Sequence, residues 1–265
     1  MQLQNDKSLH LNRTHSSSSV GTSRERGTLR LLAAPSAPQI MVRSDEISDP
    51  KCVLKRGDYS IRLADSPGRC SEAAALINRM YSWRGYHTES NGLISHNQIT
   101  LEALSKQNLV GTLTLRLDSE EGLLADELYG QEIDTFRAKN RKVCELSKLA
   151  IDPEYSSKEL LASLFNLVYI YGRVIHRATD FFIEVNPRHL GYYKRMLGFR
   201  QISEMRTCQR VNAPGVLLHL ELHYVDTQVS SLAGSRESRE RSLYPYFLSQ
   251  HEEKRVVNRI RQTLN

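Results

Sequence analysis

The sequence predicts an α/β fold built on one mixed β-sheet. Residues 143–152 alternate as a strand, residues 156–175 keep the spacing of a long helix, and residues 180–186 form a second strand. Strand, crossover helix and strand imply parallel pairing with a right-handed connection. Residues 99–117 contain two further strand-like runs around a short turn, which predicts an antiparallel hairpin. Parallel and antiparallel pairs together make the sheet mixed.

Composition predicts one folded domain with a flanking segment at each end. Residues 1–50 are rich in Ser, Thr and Arg and are predicted to be a disordered arm. Residues 51–226 hold the periodic segments, and residues 227–265 read as a polar, partly helical C-terminal tail. No apolar run reaches the ~18–20 residues of a membrane helix, and no signal-peptide pattern is present. We therefore expect a cytoplasmic protein without stable membrane insertion.

The first elements follow from local patterns. Tyr59–Asp65 alternates and predicts a strand. The segment Ser66, Pro67 and Gly68 ends it. Residues 71–86 have apolar residues at helical spacing, and Gly85 ends or bends that helix. The turn sequence SKQN separates the two hairpin strands, and residues 126–142 are predicted to be a helical or irregular connection.

The segment VCELSKLAID predicts the first of the two parallel strands. Simple alternation puts Val143, Glu145 and Ser147 on one face of the sheet, and it puts the even-numbered residues of the strand on the other face. A carboxylate on a face shared with Val and Leu is costly unless it has a partner or a task. Glu145 is therefore a candidate functional residue, and pairing with a nearby Arg or Lys is the alternative.

The later elements are predicted in the same way. Ser156 and Glu159 form a possible capping box for the long helix. Asn186-Pro187 ends the second parallel strand, and residues 190–197 predict a short helix that ends at Gly198. Two more strands follow, the second over VLLHLELHYV. The charged helix near the C-terminus carries apolar residues that pack either on the domain or on a partner.

Cysteine spacing argues against a metal centre. The four cysteines lie far apart and form no C-x-x-C pair, so neither zinc nor a disulfide framework is expected. Each is interpreted as a small apolar residue in a reducing compartment. We predict no bound metal.

The net charge of +6 suits an acidic partner, either nucleic acid or an acidic carrier protein. Charge alone does not separate them. The sequence has no zinc pattern, aromatic RNA-binding motif or helix-turn-helix signature, so no nucleic-acid partner is predicted.

Several motifs resemble one superfamily. The order of elements and the segment YYKRMLGF resemble the GNAT acyltransferases. The strand CELSKLAID is similar to the Glu-x-Ser-Arg strand of acyl-homoserine-lactone synthases, a branch of that fold. The longer combination EVNPRHLGYYKRMLGF and RVNAPGVLLHL most resembles bacterial N-acyl amino acid synthases. The resemblance covers about residues 57–226.

This resemblance implies transfer of a long acyl chain from acyl carrier protein to the amine of an amino acid or a similar acceptor. In that fold two central parallel strands splay apart, the pantetheine arm lies in the gap, and strand amides polarise the thioester carbonyl. The amine attacks directly, without a covalent enzyme intermediate. The donor substrate is then the acyl-phosphopantetheine of the carrier, and no bound cofactor is implied.

The resemblance also assigns roles to residues. Glu145 matches the acidic residue of the Glu-x-Ser-Arg motif and is the candidate base, because an attacking amine must lose a proton. Tyr193, with Tyr192 as the weaker candidate, would donate a proton to the departing thiolate, although packing is an alternative for both. The spacing from Tyr193 to Gly198 is one residue longer than the commonest superfamily pattern.

Further candidates belong to substrate binding. Ser147 lies in the same motif, and Lys148 stands where the related synthases carry Arg, without its bidentate fork. Asn186, Arg188 and His189 form the element NPRH, which could hold pantetheine or orient the acceptor; turn formation and helix capping are the alternative. Trp83 is either a core aromatic or a residue that lines the substrate site.

The loop before the crossover helix bears on the donor. Acetyl-CoA-dependent members of the superfamily carry a Gly-rich pyrophosphate loop there, but DPEYSSKELLA contains no glycine. A carrier protein needs only its phosphopantetheine arm bound, and its acidic helices would meet basic residues of this chain. The candidates for that contact are Arg137, Arg141, Lys142, Arg173, Arg177, Lys194 and Arg195.

Two alternatives to N-acyl amino acid synthesis stay open at this point. One is an acyl-homoserine-lactone-type synthase. The other is a catalytically silent GNAT-like domain that binds acyl groups. Retention of Glu145 disfavours a silent domain, and the VNPRH and VNAPGVLLH segments favour the amino acid synthase.

Overall fold

The computed structural model of the protein describes residues 51–82, 96–235 and 239–264. The predicted N-terminal arm and Trp83 lie outside these ranges. Within them, nine strands form one sheet in the order β1-β2-β3-β4-β5-β6-β9-β7, and β8 pairs with β9. The β5–β6 pair is parallel and every other pair is antiparallel. The predicted mixed sheet is confirmed.

The strands have the following bounds: β1 Cys52–Arg56, β2 Tyr59–Leu63, β3 Gln98–Ser105, β4 Asn108–Leu117, β5 Val143–Ile151, β6 Asp180–Val185, β7 Arg200–Gln201, β8 Arg206–Cys208 and β9 Ala213–Glu221. Lys106 and Gln107 join β3 to β4, both with positive φ of 47° and 69°. A two-residue turn of this kind matches the twist of the strands it joins. The hairpin predicted over residues 99–117 is therefore present.

The helices are α1 Pro67–Ser82, α2 Asp126–Arg137, α3 Lys158–Tyr169, α4 Leu190–Leu197, α5 Leu222–Leu232 and α6 Gln250–Leu264. A π-helical segment, Ile170–Ile175, continues α3. Core clusters place α3 to α6 on one face of the sheet, while α1 and α2 cover the other face. No helix among the described residues is both long and apolar enough to cross a membrane.

Two predicted boundaries are wrong. Pro67 and Gly68 follow the strand, as predicted, but they also open α1, which was predicted to begin at residue 71, because proline suits the first helical turn, where its missing N–H is not needed. The strand predicted through Tyr224 and Val225 ends at Glu221 and passes into α5. Leu222, Val225 and Val229 keep a helical spacing that buries them together, and this outweighs the β-branched composition.

The N-cap of α3 also differs from the prediction. Ser157, not Ser156, is the cap, and its hydroxyl accepts a hydrogen bond from the Leu160 amide at 3.1 Å.

The C-terminal segment packs on the domain. The predicted boundary at residue 226 falls inside α5, and α6 buries Val256, Val257 and Ile260 in the core on the α3 face. Arg259 donates from Nη1 to the backbone carbonyl of Val53 at 3.2 Å, which ties α6 to β1. Of the two packing partners considered for these apolar residues, the domain is the one observed.

Candidate active site

A cavity of about 1710 Å³ opens where β5 and β6 part. The parallel pairing joins Val143 to Asp180, Cys144 to Phe181 and Glu145 to Phe182, and it ends there. Both strands continue beyond that point, each paired only on its outer side. The predicted splay of the two central strands is therefore present.

The cavity passes through the gap from one face of the sheet to the other. Glu145 and Leu124 line it on the α2 side. Leu146 and Leu161, which belong to the core on the α3 face, line it together with Tyr193. One end of the cavity is thus rich in polar groups from the strands, and the other is lined by apolar side chains from the helices.

A bulge in β5 re-aims the side chains that follow Ser147. Thr114 pairs with Ser147 and Thr112 with Ala150, so β5 carries one more residue than β4 across this interval. Lys148 has a φ of 55°, and its carbonyl accepts a hydrogen bond from the Thr112 hydroxyl at 2.9 Å. Ala150 consequently packs with α1, whereas simple alternation placed it on the face of Leu146. The predicted alternation is wrong beyond the bulge.

Glu145 is buried, with 2% of its surface exposed, and it lines the cavity. Its Oε2 accepts hydrogen bonds from the backbone amides of Leu124 at 2.6 Å and Ala125 at 3.3 Å. Burial raises the pKa of the Glu145 carboxyl to about 7, against the lowering effect of the two amides. Among the described residues, no Arg or Lys forms an ion pair with Glu145.

A network of charged residues fixes the loop that supplies these amides. Arg137 binds Asp118 and Asp126 through both ends of its guanidinium, at 2.7–2.9 Å. Asp126 in turn accepts from the Leu123 amide at 2.7 Å. Gly122 has a φ of 69°, and a Cβ there would lie 2.7 Å from the Asp126 carboxylate, so the turn requires glycine. Arg137 therefore holds the Glu145 carboxylate in place indirectly.

Two arginines at the cavity were not singled out by the sequence. Arg210 contacts Glu184, and it binds Glu127 at 2.9 Å. Arg116 pairs in register with Gln98 on one side and with Glu145 on the other. The strand alternation of LTLRL was the available signal for Arg116, but its neighbours become known only from the pairing of β4 with β5.

Tyr192 and Tyr193 both line the cavity, and their rings meet edge to face at 5.6 Å. Burial raises the pKa of both phenols. Tyr193 also packs edge to face on Phe165 and Phe199. The Tyr192 hydroxyl is buried and has no hydrogen-bond partner in the described part of the chain.

The remaining predicted binding residues divide into two groups. Ser147, Lys148, Asn186 and His189 line the cavity, and the Ser147 hydroxyl is buried without a partner among the described residues. Asn186 also accepts from the Arg188 amide at 3.2 Å, so it caps the turn Pro187–His189. Arg188 is exposed and does not line the cavity; its Nε lies 3.1 Å from His189 Nε2. Trp83 lies outside the described residues.

Burial makes the two cysteine thiols nearest the gap poor nucleophiles. Cys208 lines the cavity, and burial raises the pKa of its thiol. Cys144 faces the core on the α3 side, and burial raises the pKa of its thiol to about 12. The thiol is therefore protonated and a poor nucleophile. Within residues 51–82, 96–235 and 239–264, no group of three His, Cys, Asp or Glu side chains is arranged to hold a metal ion.

The loop before α3 contains its own acceptors. Asp152 accepts from the Glu154 amide at 3.2 Å, and Ser157 accepts from the Leu160 amide. Asp152 also pairs with Arg79 at 3.0 Å. Two amides of this loop are thus already bound by its own side chains, and the Asp152 carboxylate adds a negative charge that disfavours a bound anion.

Comparisons with known proteins match the part of the chain that holds the cavity. A family model described as N-acyl amino acid synthase FeeM matches residues 72–221, which is 150 of the 265 residues. The solved structure of FeeM, an N-acyl amino acid synthase from uncultured soil microbes, is 25% identical, with a TM-score of 0.59. That match covers 62% of this chain and 92% of that chain. The family match contains β3 to β9, and so every strand that lines the cavity.

More distant solved structures share less with this chain. An acyl-CoA N-acyltransferase from Pseudomonas aeruginosa is 14% identical, with a TM-score of 0.44 over 61% of this chain and 97% of that chain. The acyl-homoserine-lactone synthase LasI is 11% identical, with a TM-score of 0.45 over 62% of this chain and 90% of that chain. A search of curated proteins found no significant match.

Proposed function

Because the chain belongs to the N-acyl amino acid synthase FeeM family, we propose that it transfers a long-chain acyl group from acyl carrier protein to the amine of an amino acid. Family membership confirms the predicted GNAT-type fold and the acyltransferase class. The donor, the direct attack and the residue roles are the proposed part.

The position of Glu145 carries the mechanism. Its carboxylate lies at the point where β5 and β6 part, inside the cavity, with a pKa raised by burial to about 7. A carboxyl with that pKa is about half ionised near neutral pH, so the basic form is populated and still binds a proton well. Glu145 takes the proton from the acceptor ammonium or amine, directly or through a water molecule.

The bond changes are those of direct acyl transfer. The amine nitrogen attacks the thioester carbon, an amide bond forms, and the carbon–sulfur bond breaks. Backbone amides along the open edges of β5 and β6 stabilise the oxyanion. The released pantetheine thiolate takes a proton from the Tyr193 hydroxyl. The nitrogen loses its remaining ammonium proton as the amide forms, and that proton returns through solvent to the Tyr193 phenolate; the proton on Glu145 is released to solvent. The high pKa and core position of Cys144 support attack without a covalent enzyme intermediate.

Other cavity residues are proposed to bind substrates. Ser147 and Lys148 line the cavity on β5 and are proposed to contact the acceptor, and Asn186 and His189 line it beyond the end of β6 and are proposed to hold the pantetheine arm. Arg188, predicted to hold pantetheine or to orient the acceptor, is exposed outside the cavity, and we propose it as a contact for the carrier instead. Trp83 keeps its predicted role as a residue lining the substrate site.

A carrier protein suits the site better than coenzyme A. The loop before α3 lacks glycine, and two of its amides are bound by its own side chains, which disfavours a pyrophosphate. With a carrier-bound donor, only the pantetheine arm and the acyl chain have to enter the cavity. No tightly bound cofactor is required for this chemistry.

The set of basic residues proposed to contact the carrier is smaller than the set predicted from the sequence. Arg137, Arg141 and Arg173 are engaged with carboxylates of their own chain. Four of the seven predicted cations are exposed without an ion pair in the described part of the structure: Lys142, Arg177, Lys194 and Arg195. Lys194 and Arg195 follow the cavity-lining tyrosines on α4, so we place the carrier contact there.

Activity is tested by mass spectrometry of the reaction mixture. The protein is incubated with palmitoyl acyl carrier protein and the twenty common L-amino acids. We expect one or a few N-acyl amino acids from the wild type. Glu145→Gln should lower kcat at least about 100-fold, whereas Glu159→Gln, exposed on α3, serves as the matched control. Near-wild-type turnover by Glu145→Gln would remove Glu145 from the mechanism.

The donor is tested separately. The kcat/KM of the wild type is measured with palmitoyl acyl carrier protein and with palmitoyl-coenzyme A as donor, each at low and at high salt. We expect a higher kcat/KM with the carrier, a loss of that advantage in high salt, and a similar loss in the Lys194→Glu, Arg195→Glu double variant. Equal use of both donors at every salt concentration argues against a carrier-specific site.

A further inference from the structure

We propose that Arg116 binds the α-carboxylate of the amino acid acceptor and so selects amino acids over simple amines. This inference rests on the acyl transfer proposed above, and it concerns a residue that the sequence motifs did not mark. Arg116 lines the cavity on β4.

The register of the sheet puts Arg116 at the right distance from the base. Arg116 and Glu145 are direct cross-strand partners in the antiparallel β4–β5 pair. The Cβ atoms of such partners lie roughly 4.5–5.5 Å apart on the same face of the sheet. In an α-amino acid the amine nitrogen and the carboxylate carbon are about 2.5 Å apart. An amine at Glu145 therefore brings its carboxylate within reach of the Arg116 guanidinium.

Arg116 has hydrogen-bonding capacity to spare. Its side chain is 12% exposed, and its Nε is buried with no acceptor among the described residues. Among the described residues its one ion pair is with Glu121, 3.8 Å from Nη1, and the Glu121 side chain is itself 70% exposed. A buried guanidinium N–H without an acceptor is costly, and a ligand carboxylate would bind it bidentately.

The other cavity cations fit this role less well. Arg210 already contacts Glu127 and Glu184, so its charge is compensated within the chain. Lys148 lies on the same strand as Glu145 but beyond the bulge, and it lacks the forked geometry that matches a carboxylate. Among the described residues, Arg116 is thus the cavity cation that combines proximity to the base with an open donor.

The test measures selectivity rather than activity alone. The acceptor that the wild type uses best is compared with its decarboxylated amine, with palmitoyl acyl carrier protein as donor. We expect Arg116→Met to raise KM for the amino acid at least about tenfold, the loss expected for a hydrogen bond to a charged group, with KM for the amine unchanged. Arg116→Lys should recover part of the loss. Arg200→Met, exposed on β7, is the matched control, and thermal unfolding confirms that each variant folds.

The outcomes separate this inference from the proposed function. A wild type that acylates amino acids, together with an Arg116→Met variant that keeps wild-type selectivity, overturns the inference alone. Equal losses for the amino acid and the amine also overturn it, as does a loss of selectivity in Lys148→Met instead. A wild type that acylates none of these acceptors overturns both.

Discussion

The protonation of Glu145 depends on the fold that surrounds it. Its ordinary pKa of 4.5 is raised to about 7 by burial. The folded state therefore binds this proton more tightly than the unfolded state does. The resulting stabilisation is fully present below pH 4.5 and is lost as the pH rises through about 7.

This shift predicts a pH-dependent difference in stability between the wild type and Glu145→Gln. We consider the free energy of unfolding of the variant minus that of the wild type. As the pH rises from about 4.5 to about 7, we expect this difference to increase by ~1.4 kcal/mol per pH unit. Above pH 7 the difference should level off. Urea unfolding at pH 5, 6, 7 and 8 measures it, and a constant difference would mean that the Glu145 pKa is not raised.

Loss of the hydroxyl is predicted to have different effects at Tyr192 and Tyr193. Tyr192→Phe removes a buried hydroxyl that has no partner among the described residues, so it should leave stability unchanged or raise it by about 1 kcal/mol. Tyr193→Phe should lower kcat at least about tenfold while KM changes little. Thermal unfolding and steady-state kinetics of both variants distinguish them. Loss of kcat in Tyr192→Phe alone would move the proton-donor role to Tyr192.

Single residues were predictable where a local motif marks them. Glu145 stood out because a carboxylate interrupts an apolar face, and the structure places it at the gap. Arg116 was not predicted because its significance comes from its register with Glu145, which depends on pairing between distant strands. Arg137 was predicted as a partner contact but lies in an ion-pair network, since its acidic partners are separated from it in sequence.

At the scale of elements, the π-helical continuation of α3 depends on one glycine. Gly172 lies against the ring of Phe181 on β6, and an added Cβ would meet ring atoms at 2.6 and 2.7 Å. The close approach lets the end of the crossover helix sit directly on the strand that borders the gap.

Gly172→Ala should therefore destabilise the protein by about 1–3 kcal/mol, because Phe181 is buried and must move. Gly130→Ala is the matched control: in α2 the nearest atom to an added Cβ is 4.0 Å away. We expect that control to be neutral or slightly stabilising. Chemical unfolding of both variants checks the prediction, and equal stability of the two would contradict the packing argument.

The type of each element was predictable for β5, α3, β6 and α4, but two local features of the sheet were not. β5, α3, β6 and α4 follow from periodicity and from Gly198, whose φ of 83° ends α4. The bulge at Lys148 and the transition from β9 to α5 were missed. Both are decided by tertiary contacts: the pairing with β4 in one case, and burial of Leu222 and Val225 in the other.

The stability of the whole molecule is predicted to depend on its C-terminal helix α6. Deletion of residues 250–265 would remove three buried apolar side chains of α6, each worth about 1.5–3 kcal/mol, against a total stability of about 5–15 kcal/mol. We expect the melting temperature to fall by more than about 10 °C. Deletion of residues 263–265 is the control. An unchanged melting temperature after the longer deletion would make the segment an appendage, as its polar composition first suggested.

The gap between β5 and β6 has a consequence for the behaviour of the chain in solution. A strand edge on the rim of a sheet invites pairing with a strand of another molecule and so promotes aggregation. The edges at the gap are enclosed by helices on both faces of the sheet. Backbone groups are thus kept available to a ligand while being hidden from other chains.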